Sequence, residues 1–557
     1  MKRRSRTPVA AAVLVLMAAA CAPADPGMDN RGRRVDALFS HLDRGVQPGL
    51  SIAVVQDGEI VFASGYGMAN LEQRVPNTPS TVFDIASISK QFAGMSIAML
   101  VEDGAISLDD DVRRYIPEMA DFGTPITIDH LVHHTSGLRD WPGTLAIGGW
   151  QFDDVISFDQ ILDFAYHQRE LNFEPGAEYT YSNTGYNLLA EVVARVGGQS
   201  FREWTDERLF QPLGMTSTHF HDDHTEVVPR RASGYASDGD GGFQAVANNL
   251  TALGSSSLYT TVEDLARWIA NFETADVGGS EVMAMTRTRG VLNDGAEIPY
   301  AFGISHGEYR GVPMVRHSGS WASFRTELIH FPEERLGVVI LANTGIDTAQ
   351  RARDVVDIYL ADVLSEGAED EPQSEARSVQ VEADVLARYE GTYRLGAGWY
   401  LTLRQDGGTL QTQATRERTF PTTPRSQTEF WVEAYGASLH FPEGLTGPAP
   451  WVEYRGTRAP RMGTRSEPTA ARLAQFVGEY ESAELRTSYT VSRQDGLVLS
   501  HPRHGDIELE PAWGDDFVGS EWFIGSVEFI GAESGPPTGF LVNAGERNRN
   551  IRFTRRQ

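Results

Sequence analysis

Lysine is nearly missing from this chain of 557 residues: of its 48 basic residues, all but Lys2 and Lys90 are arginine. Arginine serves solubility and ion pairing as well as lysine does, but its guanidinium keeps its proton, whereas a buried amine can be tuned into a base. The lysine retained in the body of the chain therefore marks a place where proton transfer needs an amine. Cysteine is scarcer still. Cys21 stands alone, which excludes a disulfide within the chain. Beyond the N-terminus no apolar run reaches membrane-spanning length. Positive charge is also short, and the formal net charge of −28 repels phosphate backbones, so no nucleic-acid partner is expected.

The N-terminus reads as a leader rather than as fold. Lys2, Arg3, Arg4 and Arg6 precede an apolar run from Val9 to Ala20, too short to cross a bilayer and suited to a bacterial export signal. Met17-Ala-Ala-Ala-Cys21 resembles a lipoprotein cleavage box, with Cys21 as the lipidated residue. Ordinary cleavage after Ala22-Pro23-Ala24 is the competing reading. Expected localisation is export, periplasmic or tethered through Cys21, with the membrane touched only by that anchor. Loss of the four basic residues of the leader, with no acid, would take the charge from −28 to −32.

Lys90 lies three residues after Ser87 in Ile85-Ala-Ser87-Ile-Ser-Lys90. Ser-x-x-Lys pairs a hydroxyl that can be acylated with an amine that can remove its proton. Ile88, Phe92, Met95 and Met99 recur with the spacing of one helical face, and Gly104 supplies a stop. Ser87 thus opens a buried helix, its hydroxyl at the positive end of the dipole and Lys90 one turn on. Two further triplets follow: Tyr181-Ser182-Asn183, the only Tyr-x-Asn, and His317-Ser318-Gly319, followed by Ser320. Either alone is weak, since a Tyr-x-Asn is usually a turn. Three in order, each occurring once, carry more.

In these motifs the chain resembles the serine β-lactamase-like family, which includes class C β-lactamases, DD-peptidases, esterases and D-aminopeptidases. His134-Thr-Ser-Gly-Leu138, Gln211-Pro-Leu-Gly-Met215 and Gly337-Val-Val-Ile-Leu-Ala-Asn343 are similar to that family too. The resemblance implies Ser87 as nucleophile and Lys90 with Tyr181 as acid/base pair. It also implies Asn183 as holder of the substrate amide, and the backbone N–H groups of Ser87 and Ser320 as an oxyanion hole beside Ser318 and Gly319. No metal or organic cofactor is implied, and the partner is a small-molecule or short-peptide substrate. Most β-lactamases and DD-peptidases carry Lys-Thr-Gly at the third motif. His317 is instead largely neutral at pH 7 and a poorer anion site, which is similar to the D-aminopeptidase branch and some esterases. A plain structural histidine is the alternative, and Arg325 is another source of carboxylate recognition.

The C-terminal third contains an internal repeat. Leu386-Ala-Arg-Tyr-Glu-Gly-Thr-Tyr393 is echoed by Leu473-Ala-Gln-Phe-Val-Gly-Glu-Tyr480, and Arg404-Gln-Asp-Gly407 by Arg493-Gln-Asp-Gly496. Each copy reads as alternating strands with Asp-Gly turns, hence as a meander that closes to remove its edges. The expected architecture is an α/β (α+β) β-lactamase-like catalytic domain at 32–364, a linker at 365–381, and two antiparallel lipocalin-like β-barrel domains at 382–464 and 468–557, after a signal peptide at 1–21. In D-aminopeptidases, which this layout resembles, a loop of the last barrel reaches the active-site mouth. Asp515 and Asp516 are the expected amine-binding acids there, and a spacer role for both barrels is the alternative.

His219, His221, Asp223 and His224 spell a zinc-hydrolase-like signature. Because it follows Pro212-Leu-Gly-Met215 inside the serine-enzyme resemblance, it reads as a solvated loop, and His130, His133 and His134 read as helix-end structure. The function expected is an exported serine hydrolase of amides or esters, D-aminopeptidase-like or esterase-like. Its alternatives are a class C-like β-lactamase or DD-carboxypeptidase, a non-catalytic binder of cell-wall fragments, and a zinc hydrolase.

Overall fold

The structure, a computed structural model, describes residues 29–365 and 379–557 apart from positions 397–398, 416–417, 433, 435–436, 455–456, 464–467 and 532–534. The leader, Cys21 and most of the linker lie outside the described residues. The catalytic part is built on six antiparallel strands. They are β1 (Leu50–Gln56), β2 (Glu59–Tyr66), β3 (Ser305–Tyr309), β4 (Val312–Trp321), β5 (Phe324–Phe331) and β6 (Leu336–Ala342), in spatial order β3-β4-β5-β6-β1-β2. The central strands β1 and β6 are covered on both faces, which is why each is a continuous apolar run instead of an alternating one.

Alternation still decides which layer each side chain meets. Ile52 and Val54 face the helices α1 (Asn30–Phe39) and α5 (Thr348–Tyr359) in one core with Val35, Phe39, Val355 and Val356. Ala53 and Val55 face the opposite core, shared with Leu265 and Ile269 of α4 (Val262–Thr274) and with the helical region around α2 (Lys90–Glu102) and α3 (Asn183–Gly197). The expected helix after Ser87 is present. Its first turn is 3₁₀, over Ala86–Ser89, and the α-helix proper begins at Lys90.

Downstream, residues 391–460 form a four-stranded and a five-stranded antiparallel sheet around one core, bridged at Tyr393–Arg461. Residues 478–555 form an eight-stranded closed barrel. The repeat has a physical content. In each copy a short helix, Ala383–Tyr389 or Ala470–Phe476, is followed by a strand whose tyrosine hydroxyl donates back to the helix end: Tyr393 to the Tyr389 carbonyl at 2.8 Å, Tyr480 to the Phe476 carbonyl at 2.7 Å. An arginine guanidinium, Arg461 or Arg555, lies 5.8 Å from that tyrosine's ring in both.

The last barrel is no spacer. Helix Trp141–Ile147 of the catalytic part pushes Ala146 and Ile147 into the barrel's own apolar core, and Tyr489 of the barrel donates to the Ile147 carbonyl at 2.9 Å. Just before that helix, Arg139 is 0% exposed and ends among barrel groups: the Glu484 carboxylate and the carbonyls of Arg549 (3.0 Å) and Asn550 (3.1 Å). Asp515 and Asp516 sit at the seam between the two C-terminal modules, correcting the expectation that they face the catalytic centre. Asp515 pairs with Arg472, and Asp516 accepts from Tyr400 at 2.9 Å.

Removing one partner of a buried ion pair strands the other charge, at a cost of about 3–5 kcal/mol. Glu484→Ala is therefore expected to lower unfolding stability by about that amount and to shift the denaturant midpoint without changing the slope. A loss under about 1 kcal/mol would show that water reaches Arg139.

Candidate active site

The centre forms where the Ser87 turn meets the edge of the sheet. Ala86 holds a left-handed φ of +49°, and Asp84, itself fully buried, fixes it by accepting from the Ala86 N–H at 2.8 Å. Strain of this kind persists only where the surroundings over-determine it. Thr326 of β5 adds a hydrogen bond to the Ile85 carbonyl at 2.9 Å. Strand β4 outruns its neighbour β3, whose register ends at Ser305 opposite Arg316, so the edge from His317 to Trp321 is left open beside Ser87.

Lys90 is 0% exposed, and its ammonium nitrogen is met by three acceptors: Ser87 Oγ at 3.1 Å, Asn183 Oδ1 at 2.7 Å and the Ser255 carbonyl at 2.8 Å. Burial pulls its pKa well below the usual lysine range, and the Arg547 charge adds to this while Asp140 opposes it. Its Nζ also lies 4.7 Å from the centre of the Tyr181 ring. Burial pushes the Tyr181 phenol up, and a hydrogen bond to Ser87 pulls it back. The structure thus brings together Ser87, Lys90, Tyr181 and Asn183 from two helix N-termini, since Asn183 opens α3.

His317 is buried and doubly bonded. Its Nδ1 faces the Ser318 carbonyl at 2.7 Å and must donate, so Nε2 accepts from the Tyr300 hydroxyl at 3.0 Å. Burial and then the Lys90 charge take its pKa down to about 3. Both ring nitrogens are thus spent within the protein, and the lowered pKa disfavours a cation there. Gly319 is held against the nucleophile turn: a Cβ there would stand 2.2 Å from Thr326 Oγ1 and 2.3 Å from the Ile85 carbonyl oxygen. Ser320 lines the cavity with Ser87 and Asn183, while Ser318 is exposed beside it.

Several site residues escaped the sequence reading. Asp140 accepts from the Asn183 backbone (2.8 Å) and side-chain amide (3.1 Å), orienting the amide whose oxygen holds Lys90. His134, expected as helix-end structure like His130 and His133, is instead buried against the rings of Tyr181 (4.3 Å between centroids) and Tyr300 (4.5 Å). The mouth belongs partly to the barrel. Loop Ala544–Asn548 enters the cavity of about 440 Å³, with Glu546 exposed in it and Arg547 lying 3.5 Å from Asp140 and 4.9 Å from the Tyr181 ring centre. An apolar lip spans the two parts: Phe152 stacks on Trp522 of the barrel at 5.4 Å and meets Trp321 edge-on at 5.6 Å. Phe152 and Trp522 are 51% and 52% exposed, a large share for such rings. The acids that line the cavity are Glu546 and Asp140, and those at 515 and 516 do not line it. Arg325 donates to the Ala322 and Phe324 carbonyls instead of lining the cavity.

A serine within reach of a buried amine of lowered pKa, on a sheet edge flanked by helices, is the arrangement of a serine hydrolase of the β-lactamase fold. The beta-lactamase family profile matches residues 35–362, and the chain belongs to that family. It is 31% identical over 317 residues to a D-aminopeptidase of Gluconobacter oxydans, covering 57% of this chain and 59% of that protein. It is 25% identical over 444 residues to penicillin-binding protein 4* of Bacillus subtilis, covering 76% of this chain and 97% of the relative. A D-amino acid amidase of Ochrobactrum anthropi, solved with D-phenylalanine, shares the fold at a TM-score of 0.52 and 20% identity, over 60% of this chain and all of that one. The match thus spans little more than half the length of the D-aminopeptidase.

Two outcomes follow for the site. His317 is expected to stay neutral from about pH 5 to 9, because the ordinary histidine value near 6.5 has been pulled far below that window; a nitrogen-15 chemical-shift titration with a midpoint near 6.5 would contradict this. Gly319→Ala must displace backbone at the nucleophile turn, and a misplaced oxyanion donor typically costs on the order of 10²–10³ in kcat. A variant with native turnover would show that the strand gives way freely.

Proposed function

We propose that the chain hydrolyses amide or ester bonds through an acyl-enzyme, with D-aminoacyl amides and esters as its substrate class. The observation that carries this is the contact of 3.1 Å between Lys90 Nζ and Ser87 Oγ, with the amine buried and its pKa lowered. In the reading we adopt, neutral Lys90, assisted by Tyr181, takes the Ser87 proton as Oγ attacks the carbonyl carbon. The backbone N–H groups of Ser87 and Ser320 receive the developing oxyanion, and the same proton passes to the leaving nitrogen or oxygen. Water, deprotonated by the same pair, then releases the acyl group and returns Ser87. No metal or organic cofactor enters these steps. Because the free amine is the competent form, the rate falls as pH drops below the lowered Lys90 pKa, giving an acid limb of that origin.

The mouth supports the substrate class. Glu546 is a carboxylate suited to the free ammonium of an aminoacyl group, and Phe152, Trp321 and Trp522 suit an aromatic or large apolar side chain. Arg547 favours a second reading, recognition of a substrate carboxylate as in a DD-carboxypeptidase or β-lactamase. Export through the leader, with Cys21 as the lipid attachment point, belongs to the same proposal; mass analysis of the mature N-terminus tests it.

Lys90→Arg keeps the charge but not the basicity, so turnover should vanish about as fully as in Ser87→Ala. Activity within a few-fold of native would remove the general-base role. A charge-assisted contact is worth roughly 1.5–3 kcal/mol, or on the order of 10–100-fold. Glu546→Gln should therefore lower kcat/KM by that factor for free-amine substrates and leave N-acylated esters unchanged. If instead Arg547→Gln lowers kcat/KM selectively for carboxylate-bearing substrates and Glu546→Gln changes nothing, the second reading replaces the first.

A further inference from the structure

Away from the catalytic cavity, the segment read from sequence as a solvated loop is partly buried and ordered by pairing. His219 and Phe220 form a short strand against Tyr259 and Leu258, and His221 is only 1% exposed, its backbone N–H held by the Ser257 carbonyl at 2.8 Å. The pairing turns His219 and His221 to the same side, where both pack on the Tyr259 ring, at 5.9 and 4.5 Å between centroids. Among the described residues neither ring nitrogen of His221 has a hydrogen bond, nor has Nε2 of His219. Leaving buried imidazole nitrogens unmade is costly, which calls for an explanation.

Glu226 closes the group. Its Oε2 lies 4.0 Å from His219 Nε2 and 3.7 Å from His221 Nδ1, and one donor atom from each of the three residues falls within 4.8 Å of the others. Bonds of about 2.0–2.2 Å to a tetrahedral ion place its ligands roughly 3.3–3.5 Å apart, so closing on an ion needs less than a rotamer change. Arg202 holds Glu226 now, at 2.6 and 2.9 Å, but it also binds Asp222 at 2.6 Å and keeps that partner when Glu226 turns one oxygen to a metal. We propose that His219, His221 and Glu226 form a binding site for a zinc-like divalent cation, with a water completing the shell. None of the three lines the catalytic cavity, so the role is structural. It would clamp the 221–226 loop onto Tyr259, whose hydroxyl accepts from Asn248 (3.0 Å), the residue that also bonds Asp84 below the nucleophile turn (2.8 Å) and Trp321 of the lip (3.0 Å).

The test uses the untagged chain, stripped with chelator and titrated with cobalt(II) and zinc(II) alone. One equivalent of cobalt is expected, with the visible band of a four-coordinate ion and displacement by zinc. His219→Gln and Glu226→Gln should each weaken uptake by at least about 100-fold, since even indirect partners of a metal are worth 10–100-fold, while labelling of Ser87 by a fluorophosphonate persists as proof of folding. Arg202→Gln, which frees Glu226 and removes a competing cation, should tighten uptake by roughly tenfold, the scale of about 1.4 kcal/mol. No stoichiometric uptake by the native chain, uptake that survives both ligand changes, or no response to Arg202→Gln would overturn the site.

Discussion

Everything at the catalytic centre depends on keeping one amine dry. An ammonium prefers water, and forcing Lys90 to 0% exposure pulls its pKa well below the usual lysine range. Burial alone would push the side chain out again, so the surrounding elements supply acceptors that hold it in place: Asn183 from the start of α3 and the Ser255 carbonyl from the turn before the Leu258–Thr260 strand. Each acceptor is held in its turn. Asp140 grips Asn183 from two directions, and Arg547 leans on Asp140.

This chain of support explains which parts were legible in the sequence. Ser87, Lys90, Tyr181 and Asn183 announced themselves because their chemistry needs particular residue types at helical or turn spacing. The two C-terminal modules did so because a repeat of helix, tyrosine and covering arginine reproduces one packing solution twice. Asp140, His134 and Arg547 were silent. They act through contacts that only the assembled fold creates, some of them spanning more than 360 positions along the chain. A signal existed for Asp140, which forms an Arg-Asp pair with Arg139 directly before a helix with proline in its first turn, yet such a pair is ordinary in any soluble protein. The acids at 515 and 516 misled for the converse reason. An Asp-Asp after a Gly turn looks exposed, but Arg472 and Tyr400 had already claimed both.

The third motif shows how a single substitution alters what a fold can recognise. Where the commoner pattern holds an ammonium, His317 donates to its own neighbour's carbonyl and accepts from Tyr300, spending both nitrogens inside the protein. Positive charge at the mouth comes instead from a barrel loop, at a different height and from a different direction. The charged side chains at the mouth, Glu546 and Arg547, therefore lie outside the strand that carries the motif.

Helix Trp141–Ile147 inserted in the barrel core has a consequence for how the protein comes into being. Ribosomes deliver Ser87 and Lys90 some 450 residues before Arg547. Until the barrel closes around Ile147, Asp140 lacks Arg547 and the lip lacks Trp522, so a nascent chain carries Ser87 with no finished mouth. The groups that frame the mouth thus arrive last in biosynthesis, and the finished cavity is a property of the whole polypeptide.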